Sequence, residues 1–137
     1  MSTSTNGRLT WNQLLFAVEG RATRFDYWVR WVVPYVVGAF IAIFIDDVLG
    51  TGGPGGGGGV VFAIYVIAAI WPSIAVSIKR CHDRGRSGWF ILVCLIPIVG
   101  SIWLLVELGF LRGTIGANRF GPDPLDGLGA AAAGITT

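Results

Sequence analysis

Long apolar runs separated by short polar segments dominate the pattern along this chain. Residues 31–45 carry no charge, and residues 60–78 carry none either, with ten Val, Ile or Phe among their nineteen positions. A helix needs about 20 mainly apolar residues to cross the hydrocarbon core of a bilayer. The second run has this length, and the first reaches it because Arg30 at one end and Asp46 and Asp47 at the other can extend to the headgroups. The pattern predicts membrane spans at about 28–49 and 60–78.

A third apolar stretch, predicted at 88–111, is interrupted by the sequence Ile96-Pro97-Ile98-Val99-Gly100. The part before the interruption, Gly88–Ile96, would form only about 13 Å of helix, which is too short for a crossing. If the chain turns back at Pro97, the basic residues that flank the stretch stay on one side of the membrane. We expect a re-entrant hairpin whose turn is buried in protein, and a simple third span is the alternative.

Two threonines mark helix starts near the N-terminus. Thr10 and Gln13 fit a capping box, and the apolar positions that follow share one face of a short amphipathic helix that Gly20 ends. This helix lies either in the membrane interface or against the protein itself, and the sequence leaves both open. Thr23 and Asp26 repeat the capping pattern, so the first spanning helix is predicted to begin near residue 24.

Low-complexity segments delimit one membrane domain. We expect residues 1–9 and 125–137 to be disordered and residues 10–124 to form the domain. Residues 51–59, TGGPGGGGG, are predicted to be a flexible linker, because seven glycines and a proline bury no apolar area. A phosphate-binding glycine loop would be followed by Lys and then Ser or Thr; Val60 follows here, so that interpretation is rejected.

The composition fits a bilayer environment. Hydrophobic residues make up 53% of the 137 positions and charged residues 13%, whereas soluble domains carry about 25% charged residues. A soluble chain with so few charges would lack the polar surface to cover itself. The prediction is an all-α, multi-span helical membrane protein with an N-terminal amphipathic helix, two full spans and a third apolar segment broken at Pro97.

Basic residues concentrate in the segments 8–30 and 79–86, whereas the loop between the two spans contains no Lys or Arg. Lys and Arg stay on the cytoplasmic side during insertion. The N-terminus and the central loop are therefore predicted to be cytoplasmic and the glycine-rich loop to lie outside. The net charge of +2 is too small to indicate a nucleic-acid partner.

The central loop, residues 79–89, holds the only histidine of the chain. A metal at His82 would need further His, Cys or carboxylate ligands within reach, and residues 85–89 lack the second glycine of a nucleophile elbow. Cys81 and Cys94 form neither a CxxC motif nor a disulfide framework. We expect no catalytic, cofactor-binding or metal-binding residues and no enzymatic activity.

A structural role is predicted for the acidic residues near the loop. Asp83 is expected to pair with Arg21 or Arg24 of the N-terminal arm and so to tie the arm to the loop. His82 and Asp26 are assigned to the same set of structural pairings.

Juxtamembrane Lys and Arg attract anionic lipid. If the arm and the loop converge, their basic residues form one patch that could contact lipid phosphate or an acidic partner, and the positive-inside signal alone is the alternative explanation. The predicted patch consists of Arg21, Arg24, Lys79, Arg80, Arg84 and Arg86.

Four motifs make the chain similar to a known family. They are Gly20-Arg21-x-x-Arg24 followed by Tyr27-Trp28, the His-Asp loop with Ser87-Gly88-Trp89, Ile96-Pro97-x-x-Gly100, and the segment 113–124. Over about residues 14–124 the chain resembles the YhaH-like bacterial inner-membrane proteins, a family of unknown function; it departs at Cys81, where Leu is common. The resemblance implies a small multi-span inner-membrane protein and supplies no activity. The turn residues of its last motif are Asn118, Arg119, Gly121, Pro122 and Asp123.

The expected function is structural: an accessory subunit, or a scaffold that binds lipid and protein partners in a membrane-protein complex or homo-oligomer. The alternative is a small proton, ion or solute transport component that uses Glu107 and the basic loop. A carboxylate near membrane depth supports the transport interpretation. Solvation of Glu107 at the interface is the simpler expectation, because Leu111 and the end of the apolar stretch lie only four residues further on.

Overall fold

The computed structural model describes residues 9–126, and its regular elements within that range are all helical. They are α1 (Trp11–Leu15), α2 (Arg24–Leu49), α3 (Val60–Asp83), a 3₁₀ segment (Gly88–Leu95) and α4 (Val99–Phe110). The predicted all-α architecture is confirmed. Most of the residues that we expected to be disordered, 1–8 and 127–137, lie outside the described residues. The other three, Leu9, Leu125 and Asp126, are described. Of these, Leu9 packs against the small core, and Leu125 and Asp126 bond to Asp123 in a turn.

Both long helices present their apolar side chains outward. α2 has 26 residues and α3 has 24, with mean hydropathies of 2.1 and 2.2 in their most apolar stretches. Only 11% and 17% of those stretches are buried inside the protein. Phe40 and Phe44 on α2 and Ile67 on α3 are 69%, 67% and 68% exposed. A helix of 26 residues is about 39 Å long, more than the roughly 30 Å of the hydrocarbon core, so this surface suits lipid.

The two predicted capping boxes are confirmed. In α1, the Gln13 backbone N–H donates to Thr10 Oγ1 at 3.3 Å, and Thr10 N–H donates to Gln13 Oε1 at 2.9 Å. In α2, Asp26 N–H donates to Thr23 Oγ1 at 3.1 Å, and the Asp26 side chain accepts from Thr23 N–H at 3.2 Å. α1 ends at Leu15, earlier than predicted. It lies on the protein through the fully buried Leu14.

A π-helical turn, Trp28–Val32, ends two residues before Pro34 in α2. In a regular helix the proline ring would collide with the carbonyl group four residues earlier, and the wider turn falls where this collision would occur. The turn also directs Trp28 towards α4, where its indole N–H donates to the carbonyl oxygen of Gly109 at 2.9 Å.

The third apolar segment is broken at Pro97 and folds back on itself, as expected. The turn is not buried in protein, which corrects that part of the prediction, because Ile98 is 76% exposed. Ile98 has φ 64° and ψ −65°, and Val99 N–H donates to the Pro97 carbonyl at 2.8 Å, which together make a γ-turn. The 3₁₀ segment and α4 pack against each other on the two sides of this turn. We call the segment from Gly88 to Phe110 the hairpin. α4 is about 18 Å long, roughly half the thickness of a bilayer core.

The glycine-rich loop is folded at both of its ends, which corrects its prediction as a flexible linker. The carboxylate of Asp46 is fully buried and accepts from the backbone N–H groups of Gly59 and Phe62, both at 2.8 Å, and of Val61 at 3.0 Å. Thr51 Oγ1 donates to it at 2.6 Å. A Cβ atom at Gly59 would overlap the Thr51 carbonyl group, so only glycine fits there. Asp46 therefore caps the start of α3 and does not reach outward to headgroups as predicted.

Candidate functional site: the buried ion-pair network

Charged side chains from distant parts of the sequence meet at the end of the molecule opposite the glycine-rich loop. We call this region the polar end; it comprises residues 20–26, 79–87 and 107–123. Three arginines show the convergence: Arg24 donates to the Phe110 carbonyl at 3.1 Å, Arg84 to the Arg112 carbonyl at 2.6 Å, and Arg119 to the Gly85 carbonyl at 3.5 Å.

Asp83 is the centre of the polar end. Its Oδ1 accepts from Arg21 Nε at 3.0 Å, and its Oδ2 accepts from an Arg80 guanidinium nitrogen. The side chains of Arg21, Arg80 and Asp83 are 1%, 0% and 7% exposed. A buried carboxylate between two guanidinium groups holds a defined geometry, and removing it would leave two buried positive charges without a negative charge beside them. Of the two arm arginines that the sequence offered as partners for Asp83, the structure shows Arg21.

Arg21 also binds the C-terminal turn. Its terminal nitrogens donate to the carbonyl oxygens of Gly116 at 2.7 Å and Thr114 at 2.6 Å. Thr114 N–H in turn donates to the Asp83 backbone carbonyl at 2.7 Å. A Cβ atom at Gly113 would overlap the Asp83 carboxylate, so glycine is required at that position. The glycine-rich family motif thus supplies the carbonyl groups that bind Arg21.

The turn motif itself is held by short-range bonds. Asn118 and Gly121 exchange two backbone hydrogen bonds of 3.0 Å. Asp123 accepts from the N–H groups of Leu125 and Gly116, both at 2.9 Å. These two bonds lower the pKa of Asp123 below its usual value, and the bond from Leu125 has the largest effect. Burial acts in the opposite direction and raises the pKa. Pro122 lies in the sequence between Gly121, which forms these backbone bonds, and Asp123.

His82 has a structural environment. Its ring stacks on Phe120 with centroids 4.0 Å apart, the Arg119 guanidinium lies 4.7 Å from the centre of the same ring, and His82 Nδ1 lies 3.2 Å from the Gly20 carbonyl oxygen. Asp26, which the sequence assigned to the same set, lies apart from His82. It caps α2 and pairs with Arg30 at 2.8 Å.

Lys79 and Arg80 bind main-chain carbonyl groups, which sequence reasoning missed. Both side chains are fully buried. Lys79 Nζ donates to the Leu14 carbonyl at 2.6 Å and so holds the end of α1, and Arg80 Nε donates to the Leu108 carbonyl at 2.7 Å in α4. A main-chain carbonyl acceptor cannot be recognised from the residue type. The available signal was that two cationic residues stand side by side at the end of an apolar helix, where their side chains could be buried.

Glu107 is paired rather than solvated. It is 6% exposed and accepts from Arg84 Nε at 3.1 Å and from Arg86 at 3.0 Å. The expectation of interfacial solvation was therefore wrong. The two pairs join the end of α4 to the loop that precedes the hairpin, so both ends of the hairpin lie at the polar end.

The six residues of the predicted basic patch are brought into one region but differ in access. Arg21, Lys79 and Arg80 are buried and bonded within the protein, whereas Arg24 is exposed and the side chains of Arg84 and Arg86 are 24% and 43% exposed. Lipid contact at this patch stays a prediction. Over residues 9–126, no group of three or more His, Cys, Asp or Glu side chains is placed to hold a metal ion.

Comparison with known proteins places the chain in a family. The sequence profile of the family described as "Protein of unknown function (DUF805)" matches residues 15–122. Inner membrane protein YhaH of Escherichia coli (strain K12) is 40% identical over 107 residues, which cover 77% of this chain and 85% of YhaH. Inner membrane protein YhaI of the same strain is 37% identical, with 77% and 84% covered. Uncharacterized protein YiiR is 28% identical, with 86% and 92% covered. No solved structure matches. The chain therefore belongs to the DUF805 family, whose two more similar relatives here are inner membrane proteins.

Proposed function

We propose that this protein is a structural component of the bacterial inner membrane, a multi-pass accessory subunit or scaffold whose polar end contacts anionic lipid and protein partners. The observation that carries this proposal is the Asp83 network. The network consists of Arg21, Arg80 and Asp83. Their charged groups bind one another and main-chain groups of the arm, the hairpin and the C-terminal turn. Such a network holds three separate segments together at the polar end.

The proposed topology places the polar end in the cytoplasm. Eight of the described basic residues lie there, namely Arg21, Arg24, Lys79, Arg80, Arg84, Arg86, Arg112 and Arg119, while the loop between α2 and α3 has none. This asymmetry supports an inside location for both the N-terminal arm and the C-terminal turn. The names of YhaH and YhaI support the inner membrane as the location.

Reporter fusions test the topology. We expect alkaline phosphatase to be active when inserted in the loop 51–59 and inactive when fused after residue 126, because the enzyme needs the oxidising periplasm for its disulfides. A fluorescent protein that folds only in the cytoplasm should give the opposite pattern. An active phosphatase after residue 126 would contradict the proposal and would show that the hairpin crosses the membrane.

Reconstituted liposomes test the structural role against transport. Glu107 has both of its oxygens in ion pairs with arginines, so we expect the wild-type protein and Glu107→Gln to give the same low proton flux in vesicles with an imposed pH gradient. A flux that the wild-type protein supports and Glu107→Gln abolishes would replace the structural proposal with transport.

A further inference from the structure

An open apolar groove lies beside the Glu107 ion pairs. It has a volume of about 320 Å³ and is lined by Trp103, Val106, Glu107 and Leu111. The first two apolar side chains are 54% and 43% exposed, so the groove opens sideways on the outer face of α4. Such a surface in a membrane protein faces acyl chains. The groove is unusual because its one charged lining residue is Glu107, a buried carboxylate that two cations bind.

The charge at the groove is positive. Arg84 and Arg86 surround the single carboxylate of Glu107 at 3.1 and 3.0 Å, which leaves one net positive charge. Arg112, also exposed, directly follows Leu111. Arg86 faces Glu107 with one terminal nitrogen while 43% of its side chain is exposed. A guanidinium group has five N–H donors, so this arginine retains donors for a further anion.

We propose that this groove is a binding site for one anionic phospholipid, with an acyl chain along Trp103 and Val106 and the headgroup phosphate on Arg86. The inference rests on the proposed function, because it assumes that the polar end lies at a leaflet surface. Guanidinium groups match phosphate oxygens in geometry as well as in charge. Arg86 binds Glu107, which lines the groove, at 3.0 Å. An apolar groove with such a group beside it therefore fits an amphiphile with a phosphate at its head.

Charge also argues against a second copy of the chain as the occupant. In a symmetric dimer the same surface faces itself. Arg86 and Arg112 would then approach their own equivalents, and like charges at an interface oppose association. An anionic lipid brings the opposite sign.

The test compares lipid binding by intact protein in detergent micelles, measured by native mass spectrometry with phosphatidylglycerol, phosphatidylcholine and chain-free glycerol phosphate as probes. We expect phosphatidylglycerol to bind in preference to the other two. Arg86→Gln should weaken that binding about tenfold, as expected for loss of one charged hydrogen bond. Val106→Trp, which fills the groove and keeps every charge, should weaken it as well.

Arg119→Gln is the matched control. Arg119 is also an exposed arginine that lies over a phenylalanine ring, at 4.7 Å from Phe120, as Arg86 lies at 4.5 Å from Phe90. It should leave binding unchanged. Equal losses in Arg86→Gln and Arg119→Gln, full binding by Val106→Trp, or equal binding of phosphatidylcholine would each overturn the inference. Those results would leave the reporter-fusion topology intact, whereas an inverted topology would contradict the proposed function whatever the lipid measurement gives.

Discussion

The two ends of the helical pair α2–α3 are both closed around a buried aspartate, but the partners of the two aspartates differ in kind. Asp83 at the polar end binds the charged side chains of Arg21 and Arg80. Asp46 at the opposite end binds backbone N–H groups and one hydroxyl group. The first carboxylate lies between two buried positive charges, whereas the second supplies the hydrogen-bond acceptor that the backbone N–H groups at a helix start lack.

The sequence separation differs as well. Arg21 and Asp83 are 62 residues apart, whereas Asp46 and its backbone donors are separated by 13 to 16. The polar end therefore depends on long-range contacts between the arm, the loop and the C-terminal turn, and these segments carry three of the four family motifs. The glycine-loop end is a local connection. We infer that the two ends respond differently to loss of their aspartate.

Loss of Asp83 should have the largest effect. Asp83→Asn leaves Arg21 and Arg80 buried without a negative charge, and we expect the free energy of unfolding in detergent micelles to fall by about 3–5 kcal/mol. Glu19→Gln, which removes a carboxylate from an exposed side chain, should have no measurable effect. In a double-mutant cycle, Arg21→Ala and Asp83→Ala should couple strongly; strictly additive losses would contradict a direct pair.

Much of the helical framework could be predicted from the sequence because its determinants are local. The side-chain hydrogen bonds of Thr10 and Thr23 span three residues, and the apolar length of α3 is visible directly. The turn at Pro97 could also be predicted, because a helix of nine residues cannot cross a bilayer and the basic residues flank both sides of the stretch.

The interior of the polar end could be predicted only in part. The sequence offered two arginines as partners for Asp83, and their helical and loop settings did not distinguish them. The carbonyl groups of Leu14 and Leu108, which bind Lys79 and Arg80, could not be predicted. Every residue has a main-chain carbonyl oxygen, so the sequence does not mark the ones that accept. The role of Asp46 was missed for the same reason. Gly59 precedes α3 without a side chain to cap it, and this gap was the available signal.

The second-largest effect is expected at Asp46. Asp46→Ala removes an acceptor from three backbone N–H groups and Thr51 Oγ1, and a lost helix cap costs about 2 kcal/mol at the upper end of the usual range. Asp47→Ala is the control, since Asp47 is the exposed neighbour with the same charge. The comparison of the two ends fails if Asp46→Ala destabilises the protein as much as Asp83→Asn does in the same unfolding measurement.

The smallest effect is expected at Asp123, whose carboxylate accepts only two backbone N–H groups and balances no buried charge pair. These bonds lower the pKa of Asp123 in the folded protein. The stabilisation is therefore complete above the ordinary aspartate pKa of about 3.9 and disappears as the pH falls through the lower folded value. Asp123→Asn should reduce stability at neutral pH and flatten its decline in this acidic window, whereas Asp126→Asn, an exposed neighbour, should keep the wild-type slope. An unchanged slope in Asp123→Asn would show that the turn motif gains nothing from the charge, and that the polar end depends on the Asp83 network alone.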